Sequence, residues 1–404
     1  MAAIAGMRGT GDWATDERPK NFREMILWRN PNGSAPLTAL MSKMRSESTD
    51  DPEYAWYEEE LNPVRLTVAG TITTTTYVTV VIDSGDGLDL VVGDLLLVEK
   101  AAVTSYSYEL VQVSTVTSAT QFEVTRGAAN TTAAAIPDNA LLLKVGSAFE
   151  EGSAAPDAST RNPTKKLNYT QIFKTVYRIT NTAKATRTRT GDPIKNDKKR
   201  KMFDHSVAME QAFLFGYPYE DTSGTKPKRY TGGLMYWLTG AYNATTAPTI
   251  ATIANDTTTG EDDFLDATYQ VFDYNSDLSG DERLVLCGNG FLNYMNKWAK
   301  DMGSTRMNYD GIIDVWGMKL QRWIIPQGTF YLKTHPLMNV NSRYTNSAFI
   351  IDPAGIRYRY LQGRDTKFQD NIQTPGNDET KGQWLTECGI EAHHLKSMRY
   401  LAIE

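Results

Sequence analysis

The chain has 404 residues with 42 Lys and Arg against 48 Asp and Glu, a formal charge of −6 at pH 7. That balance excludes a histone-like condenser of nucleic acid, and the length exceeds what one hydrophobic core supports, so two or three units are expected. No apolar run approaches the ~18 residues of a bilayer-spanning helix, which argues against a membrane role, and MAAIAGMRGTGDWATDERPK lacks the basic start and apolar stretch of a secretory signal. Cys287 and Cys388 are too few for a disulfide framework, so a reducing compartment is expected, with both thiols acting as small buried apolar groups.

In chain order, the first glycine cluster, GMRGTG, has neither the spacing nor the preceding strand of a dinucleotide fingerprint, and GxxxxGK[ST] does not occur. Between Glu47 and Glu60 lie seven acids (Glu47, Asp50, Asp51, Glu53, Glu58, Glu59, Glu60) and no Lys or Arg. Residue usage then changes: no Met occurs between Met44 and Met202, and no Trp between Trp56 and Trp237. Inside that gap, from about Arg65 to Glu150, the runs RLTVAGTI, TYVTVVI, DLLLVEKA, YELVQVSTV, QFEVTR and ALLLKVG are separated by turn residues at DSGDG, SAT and IPDN. Their length and spacing predict a small sandwich or barrel inserted between two parts of a different domain. Asp83, Asp86 and Asp89 in DSGDGLD lack the spacing and closing Glu of a calcium loop and read as a turn.

Nine basic residues lie between Arg178 and Lys201 against Asp192 and Asp197. The acidic and basic runs either face water independently or pair between chains. A long helix is predicted over about 192–216: Asp192 suits the N-cap, Pro193 the first turn and Gly216 the stop, with Met202, Phe203, Ser206, Val207, Met209, Phe213 and Leu214 at helical spacing. Further helices are expected at about 262–274 and 289–301, with RLVLCG a buried strand between them. Strands are expected at KLQRWIIP, GTFYLKTH, SAFIID, IRYRYLQG and QWLTECGIEAHHLKSMRYLAI, with an exposed hairpin tip at QTPGNDETKG. Helices and strands do not alternate, so the fold class expected is α+β.

No catalytic constellation emerges. His393 and His394, read as strand neighbours, would point to opposite faces, which disfavours joint metal ligation. His205 reads as a packed helix residue with no nucleophile at a fixed spacing. Neither an enzyme activity nor a cofactor is expected.

The order of parts, with GAANTTAAAIPDNALLLKVGSAFEEG, NYTQIFKTVYRITNTAKAT and KRKMFDHSVAMEQAFLFG as the stretches that carry it, resembles the major capsid protein of tailed bacteriophages with the Hong Kong 97-like fold. The likeness is to the type with a β-domain inserted in the extended loop. The resemblance implies an N-terminal arm at about 1–53 and an extended loop at 54–178 containing the β-insertion at about 65–150. It places a peripheral domain at 179–234 with the spine helix at 192–216, an axial domain at 235–330, and peripheral strands returning to the axial domain at 331–404. It further implies hexamers and pentamers closing an icosahedral shell around double-stranded DNA in the virion, assembled in the host cytoplasm. A portal and a decoration protein are among the implied partners. The short region before the acidic run has no room for a fused scaffolding segment, so a separate scaffolding protein is expected.

Under that resemblance Trp13, Trp28 and Trp56, with Phe22, Tyr54 and Tyr57, are expected as arm anchors that bury against neighbours. The seven acids would pair with Arg187, Arg189, Lys195, Lys198, Lys199, Arg200 and Lys201 of an adjacent copy, or those cations would make weak non-specific contacts with packaged DNA. Two alternatives stay open: a nucleic-acid-binding protein using the basic 178–201 region, disfavoured by the net charge, and a carbohydrate-binding adhesin using the β-module.

Overall fold

The computed structural model describes residues 46–59, 64–99, 109–160, 162–186, 188, 191–239, 250–254, 259–272, 280–301, 307–315, 318–340 and 342–404. The chain divides into two compact units, one formed by 1–56 with 166–404 and the other by 57–165. After β1 (Ser46–Thr49) the chain passes along β2 (Glu53–Glu58) into the second unit and returns along β9 (Thr164–Tyr169), which pairs with β2 as a two-stranded ribbon.

The second unit is a closed barrel. Its strands are β3 (Arg65–Val68), β4 (Tyr77–Ser84), β5 (Asp94–Glu99), β6 (Glu109–Ser118), β7 (Gln121–Ala128) and β8 (Leu141–Ser147), joined in the order β3-β4-β7-β6-β5-β8. Every second residue points inward: Val80 and Ile82, Leu96 and Val98, Val111 and Val113, and Phe122 and Val124 form one buried cluster with Leu66, Val68 and Leu142. Period-two alternation over short β-branched runs favours such a closed sheet, which leaves no edge unpaired. Asp86 caps a single 3₁₀ turn, Gly87–Asp89, by accepting from Leu88 N–H at 2.9 Å. DSGDGLD is therefore a turn, as its spacing suggests.

The first unit holds two large sheets. One runs β1-β19-β21-β10, with β10 (Gln171–Thr180), β19 (Ile356–Leu361) and β21 (Glu379–Ala392), and β20 (Lys367–Gln369) also pairs with β21. The other runs β13-β22-β18-β14-β17-β16-β15. Its strands are β13 (Ile250–Ile253), β14 (Glu282–Cys287), β15 (Met307–Val315), β16 (Met318–Ile325), β17 (Gly328–Thr334), β18 (Ser347–Ile351) and β22 (Arg399–Ile403). A small hairpin of β11 (Tyr219–Asp221) and β12 (Lys228–Tyr230) follows the longest helix.

That helix spans Pro193–Phe215. Asp192 Oδ1 accepts from the N–H of Ile194 and Lys195, Pro193 occupies the first turn, and Gly216 N–H closes the last turn on Ala212 O. The helix expected at 262–274 is shorter, Gly260–Thr268, and tightens into a 3₁₀ turn at Tyr269–Phe272; the next is Asn289–Asp301.

Two cores flank the seven-stranded sheet. Leu284, Leu286, Phe349 and Ile351 join the cluster containing Phe213, Leu214 and Trp237, whereas Val285, Cys287, Ala348 and Ile350 join the cluster of Phe264, Phe291, Trp298 and Trp323. Burial on both faces explains why RLVLC reads as a continuous apolar run. His393 and His394 do not lie in a strand: β21 ends at Ala392, and His394 takes a left-handed φ of 53° to lead into the 3₁₀ turn Leu395–Ser397.

Candidate assembly surfaces

The acidic run is divided by the fold. Glu47, on β1, pairs within its own chain with Arg357 (3.1 Å) and Arg359 (2.6 Å), because β1 lies parallel to β19. Arg359 also binds Glu391, which in turn meets His393. Burial pushes the Glu391 pKa up, but the hydrogen bonds from His393 and Arg359 outweigh it and hold the carboxyl below the usual glutamate value. Glu47 is thus an internal fastener of β1. Asp50, Asp51, Glu53 and Glu59 are exposed and Glu58 is half-buried, while Glu60 lies outside the described residues.

Trp56 corrects the anchor expectation. It is 6% exposed, and its ring lies 5.6 Å from Trp237, 5.7 Å from His393 and 6.4 Å from Tyr54. Tyr54 is buried beside it and donates to Ile390 O at 2.7 Å. Alternation along β2 turns both rings into the chain's own core, which leaves Tyr57, at 65%, as the exposed aromatic of that strand. Trp13, Trp28 and Phe22 lie outside the described residues.

The basic run falls on the first half of the long helix. Lys195, Lys199 and Arg200 are exposed; Lys198 Nζ sits 3.5 Å above the Phe368 ring; Lys201 meets Asp204 at 3.0 Å. Met202 is 51% exposed between them, whereas Met209, Phe213 and Leu214 in the second half are buried. The helix therefore presents an exposed basic and apolar segment beyond the part that packs into the core. Arg187 and Arg189 lie outside the described residues.

Buried histidines fix that helix to the sheets. His205 is flanked by Thr175 Oγ1 (3.0 Å, at Nδ1) and Thr386 Oγ1 (2.8 Å, at Nε2), and burial lowers its pKa. His335 Nδ1 accepts from Leu337 N–H at 3.2 Å, so the proton on Nε2 is donated to Glu210 Oε1 at 2.6 Å. Thr175 and Thr386 have no sequence signal that would link them to His205; the partners converge only through β10 and β21.

Cys287 and Cys388 are buried and unbonded, and burial pushes the Cys287 thiol up to about 12. Among the described residues no group of three His, Cys, Asp or Glu is placed to hold a metal ion, and no helix is long and apolar enough to cross a membrane. The features the described residues present are the acidic, basic and aromatic surfaces above.

Comparison with known proteins bears on those surfaces. A family model described as "SU10 major capsid protein" matches residues 6–402. The "Major capsid protein" of Pseudomonas phage PaMx41 is 26% identical over 382 residues, covering 94% of this chain and 88% of that one. Among solved structures, "Mycobacterium phage Bobi" aligns over 96% of both chains with a TM-score of 0.45 and 8% identity. "Capsid of native GTA particle computed with C5 symmetry" aligns over 96% of this chain and 95% of that one, with a TM-score of 0.43 and 10% identity.

Proposed function

The chain belongs to the SU10 major capsid protein family, and from that premise we propose that it assembles with copies of itself into pentamers and hexamers of an icosahedral shell enclosing double-stranded DNA. The family match across 6–402 carries this reading. The protein is a phage capsid component, and its assembly in the host cytoplasm belongs to the proposal. So do a separate scaffolding protein, a portal and a decoration protein as partners, and the Hong Kong 97-like division into arm (1–53), extended loop (54–178), peripheral domain (179–234 and 331–404) and axial domain (235–330).

The charge pairing between copies is proposed in a narrower form. Glu47 is occupied within its own chain, so Asp50, Asp51, Glu53, Glu59 and Glu60 are the acids offered to a neighbour. Lys195, Lys198, Lys199 and Arg200, with Arg187 and Arg189, receive them or contact packaged DNA, whereas Lys201 is held by Asp204 of its own chain. Such pairs set register and encounter rate more than affinity. Trp13 and Trp28 remain the proposed arm anchors. Sedimentation of purified protein, alone and with its scaffolding protein, tests the assembly: capsomers or particles are expected, and a strictly monomeric species at high concentration overturns it.

A further inference from the structure

The hairpin of β11 and β12 carries aromatic groups that its own chain leaves uncovered. Tyr219 and Tyr230 lie directly across the two strands from one another, 57% and 42% exposed, with ring centroids 6.4 Å apart and planes inclined by 28°. One pair nearer the turn, Asp221 stands across from Lys228, and alternation puts both on the face of the two rings. The residues between, Glu220 and Arg229, take the other face and bind each other at 2.8 Å. Asp221 Oδ1 accepts from the N–H and the hydroxyl of Ser223 at 2.9 and 2.6 Å. Those bonds, with a smaller attraction from Lys228, hold its carboxyl below the usual aspartate range, so it is ionised at neutral pH. The outer face of the hairpin is thus one aromatic row followed by one row of opposite charges.

Such a face is complementary to itself. A two-fold axis parallel to the strands exchanges left and right but keeps the rows level, so Tyr219 meets a second copy's Tyr230 and Asp221 meets its Lys228, each contact made twice. An axis across the strands would instead set Tyr219 over the second copy's Asp221, a carboxylate on the negative face of a ring. We infer that this hairpin face docks on the same face of a second copy across a two-fold axis, the tyrosines at its centre and the Asp221–Lys228 pairs fixing its register. This rests on the assembly reading above. Charge selects the occupant: residues 217–231 hold Glu220 and Asp221 against Lys226, Lys228 and Arg229, a net charge of +1, whereas a nucleic-acid surface draws on several uncompensated cations. Four side chains per copy fall short of the about 20–30 residues a side of a standard interface, so the contact forms within the assembly and not between free chains.

Full-length chains labelled with ¹⁴N or ¹⁵N, mixed before assembly with the scaffolding protein and photo-oxidised with a ruthenium complex and persulfate, which joins phenols in contact, test the docking. Mixed-isotope dityrosine between Tyr219 and Tyr230 is expected. Its yield should fall at least tenfold in Asp221→Lys and in Lys228→Asp, because each variant alone sets like charges against one another at both pairs. When the two variants, oppositely labelled, are assembled together, every pair across the axis is again opposite in charge and the yield should return. That recovery separates a lost contact from a hairpin that fails to fold. Particles with only same-isotope dityrosine overturn the docking while leaving the assembly reading intact. Mixed-isotope links that persist undiminished in both single variants overturn the register, and with it the two-fold contact. Rings shielded from oxidation in the particles without any such link overturn the docking in favour of another partner. A chain that never leaves the monomer overturns the assembly reading, and the docking with it.

Discussion

Glu109 and Arg126 stand inside the barrel, joined by two hydrogen bonds of 2.6 Å, with Glu109 also accepting from Gly127 N–H (3.1 Å) and Ala134 N–H (3.2 Å). Burial pushes the Glu109 pKa up, but Arg126 and the two amides outweigh it and hold the carboxyl below its ordinary value. Breaking a buried pair from one side costs about 3–5 kcal/mol, so Glu109→Gln should accelerate hydrogen exchange across 65–147 and leave 166–404 unchanged. A depressed folded pKa stabilises above the unfolded value near ~4.3 and is lost as pH falls through the folded one. Barrel protection should therefore drop below about pH 4.5. His205 behaves differently. Its pKa is lowered by burial, so below about pH 6.5 the unfolded chain takes up a proton that the native one resists. Stability measured by urea midpoint should decline from pH 7.5 to 5.5, and His205→Gln should flatten that slope. Trp56→Ala removes a core ring, and a loss of about 3–5 kcal/mol is expected in the unassembled chain; an unchanged unfolding midpoint would restore the anchor reading.

At the scale of elements, the long helix was legible because its ends are local. Asp192, Pro193 and Gly216 act through neighbours two to four residues away, and Asp192→Ala should cost about 1 kcal/mol, measurable as a shift in thermal midpoint. The barrel was legible through alternation, since inward Val, Leu and Phe at every second position need only a pleated strand to meet in one core. Replacing 66–149 with a short flexible linker should leave the first unit folded, as circular dichroism of the soluble product would show; wholesale insolubility would contradict an independent insert. What could not be read from local pattern depends on distant pairing. β1 finds β19 across some three hundred residues, through Glu47 with Arg357 and Arg359. Trp56 is an aromatic at an ordinary strand position until Trp237 and His393 close over it. The exposed face of β10 was present as the alternation in QIFKTVYRIT, but which half faces the helix is decided by His205 and Phe213.

For the whole molecule, the net −6 conceals a division between an insert of −8, where 57–165 holds fourteen Asp and Glu against six Lys and Arg, and a remainder of +2. Under the proposed charge pairing between copies, the attraction is screened within about 8 Å at physiological ionic strength, so assembly rate should fall as salt rises from 50 to 500 mM, as light scattering would record. The same division explains why composition alone selected no function: opposite net charges on the two units cancel in the sum. The most direct test of a self-assembling shell protein is negative-stain electron microscopy of the expressed chain with its scaffolding protein. Closed particles of uniform diameter built from five- and six-copy clusters are predicted; a field of monomers or amorphous aggregate would contradict the account.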